Sequence, residues 1–261
     1  MKIEVLVSTM NLENPQNLLE EMNIDKTVII NQVQEKKLQD ITVGENRCYS
    51  YQEKGLSKSR NKAIMHSDAD ICIIADDDLK YEDNYEKIVE EGYKKYPDAD
   101  IIAFHVDNVN KKLQKAIRKE GKINFITSMK IQSVQTTFKR KSIIDNSIKF
   151  NEMFGAGVEL YSGEENIFLS DCIKNRLKIY YIPNKIATIQ DNNSTWMKGH
   201  DRQYFNAKGA TFYAISSTLY CFFIIQYAIR KRKRYKKEMS VLNAIRYMCE
   251  GVKKYKKEKR G

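Results

Sequence analysis

The sequence predicts an α/β fold in which a mostly parallel sheet carries helices on both faces. Three observations predict it. Strand-like and helix-like apolar patterns alternate over roughly the first 180 residues, as in parallel strands joined by crossover helices. The run Ile71, Cys72, Ile73, Ile74, Ala75 is continuously apolar, as expected of a strand buried on both faces. Apolar residues make up 42% of the 261, with only 3 Pro and 11 Gly, which provides a core and excludes disordered or fibrous classes.

Residues 2–8 alternate Ile3, Val5 and Val7 as a first strand. Asn14 and Pro15 start a helix, because Asn caps free amides and Pro fits the first helical position. Leu18, Leu19 and Met22 give that helix its apolar face. Residues 26–31 form a second strand and residues 47–51 a short third. A helix led by Ser57 runs through Ala63 and Ile64 into the strand 71–75. Tyr85, Ile88, Val89 and Tyr93 lie at helical spacing, Pro97 stops that helix, and residues 101–106 resume a strand. Residues 108–130 are polar and basic, and read as a surface excursion. Further strands are expected at 134–138, 148–150 and 177–182, the last ended by Pro183. A helix is expected over 164–175, after a loop at Gly155 to Gly157.

Charge is unevenly distributed. Residues 230–261 hold 14 Lys and Arg against 3 Glu, whereas residues 1–229 hold 31 basic and 31 acidic residues. The net charge of +11 therefore belongs to the tail. Five dispersed cysteines without paired spacing point to a reducing compartment and away from a zinc site. The first residues enter a strand directly, so a cytosolic location is expected.

Asp76, Asp77 and Asp78 succeed the apolar strand at once and project from the C-terminal edge of the sheet, where open α/β sheets bind ligands. Such a triplet can be a solvated acidic turn. At a strand end, however, three like charges repel unless a cation resides there, and alternate carboxylates suit one hard divalent ion.

Just upstream lies Gly55-Leu56-Ser57-Lys58-Ser59-Arg60-Asn61-Lys62-Ala63. This Gly-Leu-Ser-x-Ser-Arg-Asn-x-Ala segment, followed by an apolar strand ending in Asp-x-Asp, resembles the nucleotide-binding half of family-2 glycosyltransferases. The resemblance implies the GT-A (Rossmann-like) fold over residues 1–209; by their own patterning residues 210–261 are expected to form a helical basic C-terminal extension. It implies that Arg60 contacts the nucleotide, that Asp76 sits near ribose and metal, and that Asp78 ligates Mn²⁺ or Mg²⁺. Lys58 offers a point charge nearby, and Asp77 joins the nucleotide-facing set without an assigned contact.

Gly163, Glu164, Glu165 and Asn166 precede an apolar helix, about 85 residues after the triplet. Carboxylates in a first helical turn face its positive end. Similar family members carry a Gly-Glu-Asp or Gly-Glu-Glu element here, whose second acid is usually the base that deprotonates the acceptor hydroxyl. Glu165 is therefore the preferred base, with Glu164 as its neighbour. Direct displacement would invert the anomeric centre.

Related enzymes bring a late His over the metal, which nominates His200, and Trp196 is a candidate for stacking on a sugar. The family's Asp-Asp-Gly-Ser turn is absent after the second strand, which leaves Asn31 or Gln32 to meet a nucleobase. Thr9 is another base or ribose contact.

Residues 210–229 are rich in Phe, Tyr and Ile but more polar than a typical spanning helix, and are expected to pack on the domain or lie at a membrane surface. Residues 230–237 contain seven basic side chains in eight, and residues 240–252 are amphipathic. Together these suggest an anionic lipid surface rather than nucleic acid, since the neutral main domain has no recognition module.

The expected activity is transfer from a nucleotide-sugar donor, UDP-linked in preference, to a hydroxyl of a glycan or lipid-linked glycan, by a protein peripheral to the inner membrane face. Two rival classes fit less well. A nucleotidyltransferase would need a Gly-rich, Lys-bearing first loop, which residues 8–12 lack. A non-catalytic membrane-associated subunit would be expected to lose acids, and both acidic elements are intact. The sequence gives no oligomeric state.

Overall fold

The computed structural model describes residues 1–34, 40–109, 117, 119–190 and 199–259. Its first half alternates as expected: β1 (Ile3–Met10), α1 (Pro15–Met22), β2 (Thr27–Gln32), β3 (Ile41–Val43), β4 (Asn46–Tyr51), α2 (Leu56–His66), β5 (Ile71–Asp76), β6 (Leu79–Tyr81), α3 (Tyr85–Lys95) and β7 (Ile101–Asn108). Next come β8 (Gly121–Lys122), α4 (Phe125–Ser128), β9 (Thr136–Lys139), α5 (Arg140–Asp145), α6 (Glu164–Lys174) and β10 (Ile179–Ile189). Four helices close the chain: α7 (Arg202–Ile215), α8 (Tyr220–Arg230), α9 (Arg232–Tyr235) and α10 (Val241–Glu258).

The strands join in one sheet in the order β3-β4-β2-β1-β5-β9-β7-β10-β6, with β8 paired to β10. Strands β4, β2, β1 and β5 are mutually parallel, as are β7 and β10, and β9 runs antiparallel between the two groups. Six of the ten described strands therefore share one direction.

Strand periodicity sorts the core into two layers. Val5, Val7, Ile29, Ile73 and Phe104 face one side, where Leu18, Leu19 and Met22 of α1 and Val89 and Tyr93 of α3 cover them. Leu6, Val28, Ile30, Cys72 and Ile74 face the other, under Ala63 and Ile64 of α2 and Phe168, Leu169 and Cys172 of α6. At about 25 cal/mol per Å² of apolar area, such two-sided burial is the main stabilising term. Asn14 caps α1 as expected, its side chain accepting from the Gln16 amide, with Pro15 in the first turn.

The structure differs from expectation in four places. Residues 148–150 form no strand; Ile148 and Phe150 are buried as coil, because the Asn61 side chain takes both backbone groups of Phe150. Pro183 does not end β10, which continues to Ile189 through register shifts between Ile182 and Ala187. A residue with no N–H to donate is accommodated at such an irregularity. Residues 210–229 are not one helix: α7 ends at Ile215 and α8 begins at Tyr220, so the division at 209/210 falls inside α7. The amphipathic segment at 240–252 is helical, but Ala244, Met248 and Val252 are buried against Phe205, Ile224 and Ala228 of the helices before it.

Two glycines make that last packing possible. A Cβ on Gly209 would lie 2.0 Å from the Met248 carbonyl oxygen, and one on Gly251 would lie 2.0 Å from that of Asn206. Helices α7 and α10 thus touch backbone to backbone. No helix among the described residues is long and apolar enough to cross a membrane.

Candidate active site

Parallel register aligns the C-terminal ends of three strands. Ser8 pairs with Asp76 and Thr9 with Asn31, so side chains from β1, β2 and β5 converge on one sheet edge. Asp76 ends β5, and Asp77 and Asp78 form the turn into β6. The Thr9 hydroxyl donates to Asp77 Oδ2 at 2.5 Å, and the Asp78 carbonyl accepts from the Gln190 amide at 2.8 Å. The turn is therefore anchored at Asp77 and Asp78 rather than being loose and solvated.

Helix α2 explains the motif at residues 57–61, because each small or polar side chain fixes a different segment. Ser57 donates to the Phe154 carbonyl at 2.7 Å, and Ser59 to the Ser8 hydroxyl at 2.8 Å. Asn61 holds both backbone groups of Phe150. Arg60 is 1% exposed and reaches three partners: Glu164 Oε1 at 3.1 Å, Asp76 Oδ1 at 3.0 Å and Ser133 Oγ at 2.9 Å. Burial opposes its charge, but Asp76 and Glu164 outweigh burial and hold the guanidinium above its usual value. Expected at the nucleotide, Arg60 has its terminal nitrogens on protein partners in this structure, and they link the two acidic elements directly. That use demands Arg, since only a planar fork serves carboxylates on two sides.

The second acidic element begins α6. Gly163 has φ 102° and precedes the helix, and a Cβ there would lie 2.3 Å from Thr211 Oγ1 of α7. Only glycine satisfies both conditions. Glu164 is buried and paired to Arg60, whereas Glu165 is half-buried. Burial, then the Glu164 charge, pushes the Glu165 carboxyl up to about 7, against a backbone hydrogen bond and the opposing charges of Lys208 and Arg60. Two adjacent glutamates therefore have different environments, one neutralised by a cation and the other poised to take a proton near neutrality.

Solved structures with this architecture include S. aureus TarS 1-349, at 14% identity and TM-score 0.61 over 99% of this chain and 92% of that one. TarS 1-349 in complex with UDP matches at 14% identity and TM-score 0.63 over 97% and 81%. Its complex with UDP-GlcNAc matches at 13% identity and TM-score 0.62 over 99% and 92%. The fold is a GT-A-like glycosyltransferase fold. No protein-family model and no curated protein matches the chain.

Against that fold, the remaining candidates separate. Asn31 is 1% exposed, and its amide accepts from the Leu12 N–H and donates to the Leu12 carbonyl, at 2.9 and 2.8 Å. Gln32 likewise holds both backbone groups of Gly55. Both pin loops at the sheet edge, each through one amide N–H and one lone pair of the amide oxygen. Lys58 is part-exposed on the first turn of α2. The His200 amide donates to Glu238, and its ring packs edge-on to Tyr204 at 5.0 Å, which anchors the chain entering α7. Trp196 falls outside the described residues.

Sequence reasoning missed Ser133 and Thr211, and read Lys208 only as part of a packing segment with Gly209 and Ala210. Ser133 carries no motif, and α7 approaches α6 only through tertiary packing.

Proposed function

We propose that the protein is a metal-dependent, inverting glycosyltransferase that moves a sugar, a hexose in the first instance, from a UDP-linked donor to a hydroxyl of a glycan or lipid-linked glycan. One observation carries the reading: buried Arg60 ties the strand-end acid Asp76 to the acidic pair at α6, fixing donor-side and acceptor-side carboxylates in one site. The UDP and UDP-GlcNAc complexes among the structures of like fold support a uridine nucleotide.

Glu165 acts as the base. A carboxylate titrating near 7 is half ionised at neutral pH and still basic enough to take the hydroxyl proton as the new bond forms. The acceptor oxygen then attacks the anomeric carbon opposite the leaving diphosphate, which inverts its configuration. Glu164 and Arg60 hold the start of α6 in place. Thr9 orients Asp77 at the nucleotide edge, and Lys58 supplies positive charge beside the phosphates.

Asp78, assisted by Asp76, would hold Mn²⁺ or Mg²⁺. The donor set fits, since carboxylate oxygens suit a hard cation. Among the described residues no three His, Cys, Asp or Glu side chains converge. Substrate phosphates and water would complete the shell of a cation held there. When bound, the cation neutralises charge on the departing diphosphate.

Release of UDP from a panel of UDP-sugars, with and without Mn²⁺, tests the reading on wild type and Asp78→Ala. Metal-stimulated release by wild type and its loss in the variant are expected; equal release by both removes Asp78 as a ligand. A product anomer matching the donor configuration would remove inversion.

A further inference from the structure

Helix α8 has two unlike sides. Ile224 and Ala228 are buried against the bundle, with Phe223 and Tyr227 packed beside them. On the far side Phe222, Ile225 and Ile229 recur at helical spacing, and with Leu219 just before the helix each is more than half exposed. Cys221 is exposed as well. A contiguous apolar stripe left uncovered on a helix is a contact surface in want of a partner.

The basic turn at the end of the stripe identifies the partner. Arg230, Arg232, Lys233, Arg234, Lys236 and Lys237 are all exposed, while Tyr235, the one apolar residue among them, is fully buried and holds the turn against the bundle. Arg232, Lys236 and Lys237 line an open depression of about 670 Å³ together with Leu242, which is 79% exposed. An apolar stripe running into a cationic rim matches the layering of an anionic bilayer, with acyl chains below and phosphates above. A second copy of the chain meeting this face symmetrically would bring two such rims together. A nucleic acid would satisfy the charges but leave the stripe in water.

We propose that α8 lies in the plane of an anionic lipid bilayer, with Leu219, Phe222, Ile225 and Ile229 entering the acyl boundary and residues 230–237 gripping the headgroups. This assigns the membrane contact to α8 and the basic turn, and not to the face of α10 carrying Ala244, Met248 and Val252, which is buried against α7 and α8. Where the protein sits is read without any turnover assay, so the lipid contact can fail independently of the proposed chemistry.

Co-sedimentation of the full chain with phosphatidylcholine vesicles, with and without phosphatidylglycerol, tests it. Wild type should bind the anionic vesicles and not the neutral ones. Each basic residue near the surface contributes about fivefold to partitioning. The variant Arg232→Gln, Lys233→Gln, Lys236→Gln, Lys237→Gln should therefore bind about several hundredfold more weakly, and Phe222→Ser, Ile225→Ser, Ile229→Ser at least about tenfold more weakly. A fluorophore on Cys221, in a Cys249→Ser background, should shift to the blue with anionic vesicles and needs no change to the stripe. Unchanged partitioning of the serine variant together with an unshifted probe overturns the proposal. So does a stripe-dependent dimer that ignores vesicles, or retention by RNA alone.

Discussion

Replacing Glu165 by Gln separates two consequences of its environment. The folded protein holds this carboxyl at about 7, against an ordinary glutamate value of 4.5. Between those values the folded state keeps a proton that the unfolded chain releases, so stability falls as pH rises through the window and the full penalty is present above about 7. At roughly 1.4 kcal/mol per tenfold, the gap sets a ceiling of about 3 kcal/mol, which partial exposure reduces to about 1–2 kcal/mol. Glu165→Gln removes the ionisation and keeps the shape. The variant should gain about 1–2 kcal/mol relative to wild type at about pH 8 compared with about pH 4.5, read as a melting difference of roughly 2–4 °C per kcal/mol. Thermal denaturation at the two pH values measures this. A stability difference that does not change with pH would refute the reasoning, because an electrostatic penalty must appear with the charge. In wild type, transfer should rise with pH on an acid limb near 7.

Other expectations come from the same geometry. Arg60→Met leaves Glu164 buried without its cation and should destabilise by about 3–5 kcal/mol, while Arg60→Lys keeps the charge but loses the fork and should fall between; denaturant titration ranks the three. Gly163→Ala meets both the positive φ and Thr211, and should lower stability by about 1–3 kcal/mol; adding Thr211→Ala should restore only the steric part, read by melting. Asn31→Ala removes both bonds to Leu12 and should destabilise by about 1–3 kcal/mol. If Asn31 instead contacted the base, donor KM would rise with no loss of stability.

The parts of this protein that sequence patterning reveals are those with a local cause. Alternation in β1, the continuous run of β5 and the Asn14-Pro15 start of α1 each arise from burial or capping within a few residues, and each is present. The acidic triplet, Arg60 and the Glu164–Glu165 pair stood out by residue type and spacing. Their wiring did not, because which oxygen Arg60 reaches depends on segments 16 and 104 residues away along the chain. Asn31 illustrates the same limit: a polar residue at a strand end reads as a ligand contact, and only the path of the chain at Leu12 shows its amide already engaged. The packing of α10 differs from expectation for a similar reason. Helical spacing marks residues 240–252 as amphipathic, but tertiary packing decides what covers the apolar face, and the backbone contact at Gly209 and Gly251 gives α10 to the bundle.

The central claim is that Glu165 deprotonates the acceptor in a site that binds a UDP-sugar. UDP affinity and sugar transfer, measured side by side for wild type and Glu165→Gln, test it most directly. The account predicts undiminished UDP binding in the variant and transfer slower by roughly 10²–10⁴-fold. A Glu165→Gln protein that transfers at the wild-type rate would contradict it, as would a wild-type protein that binds no UDP.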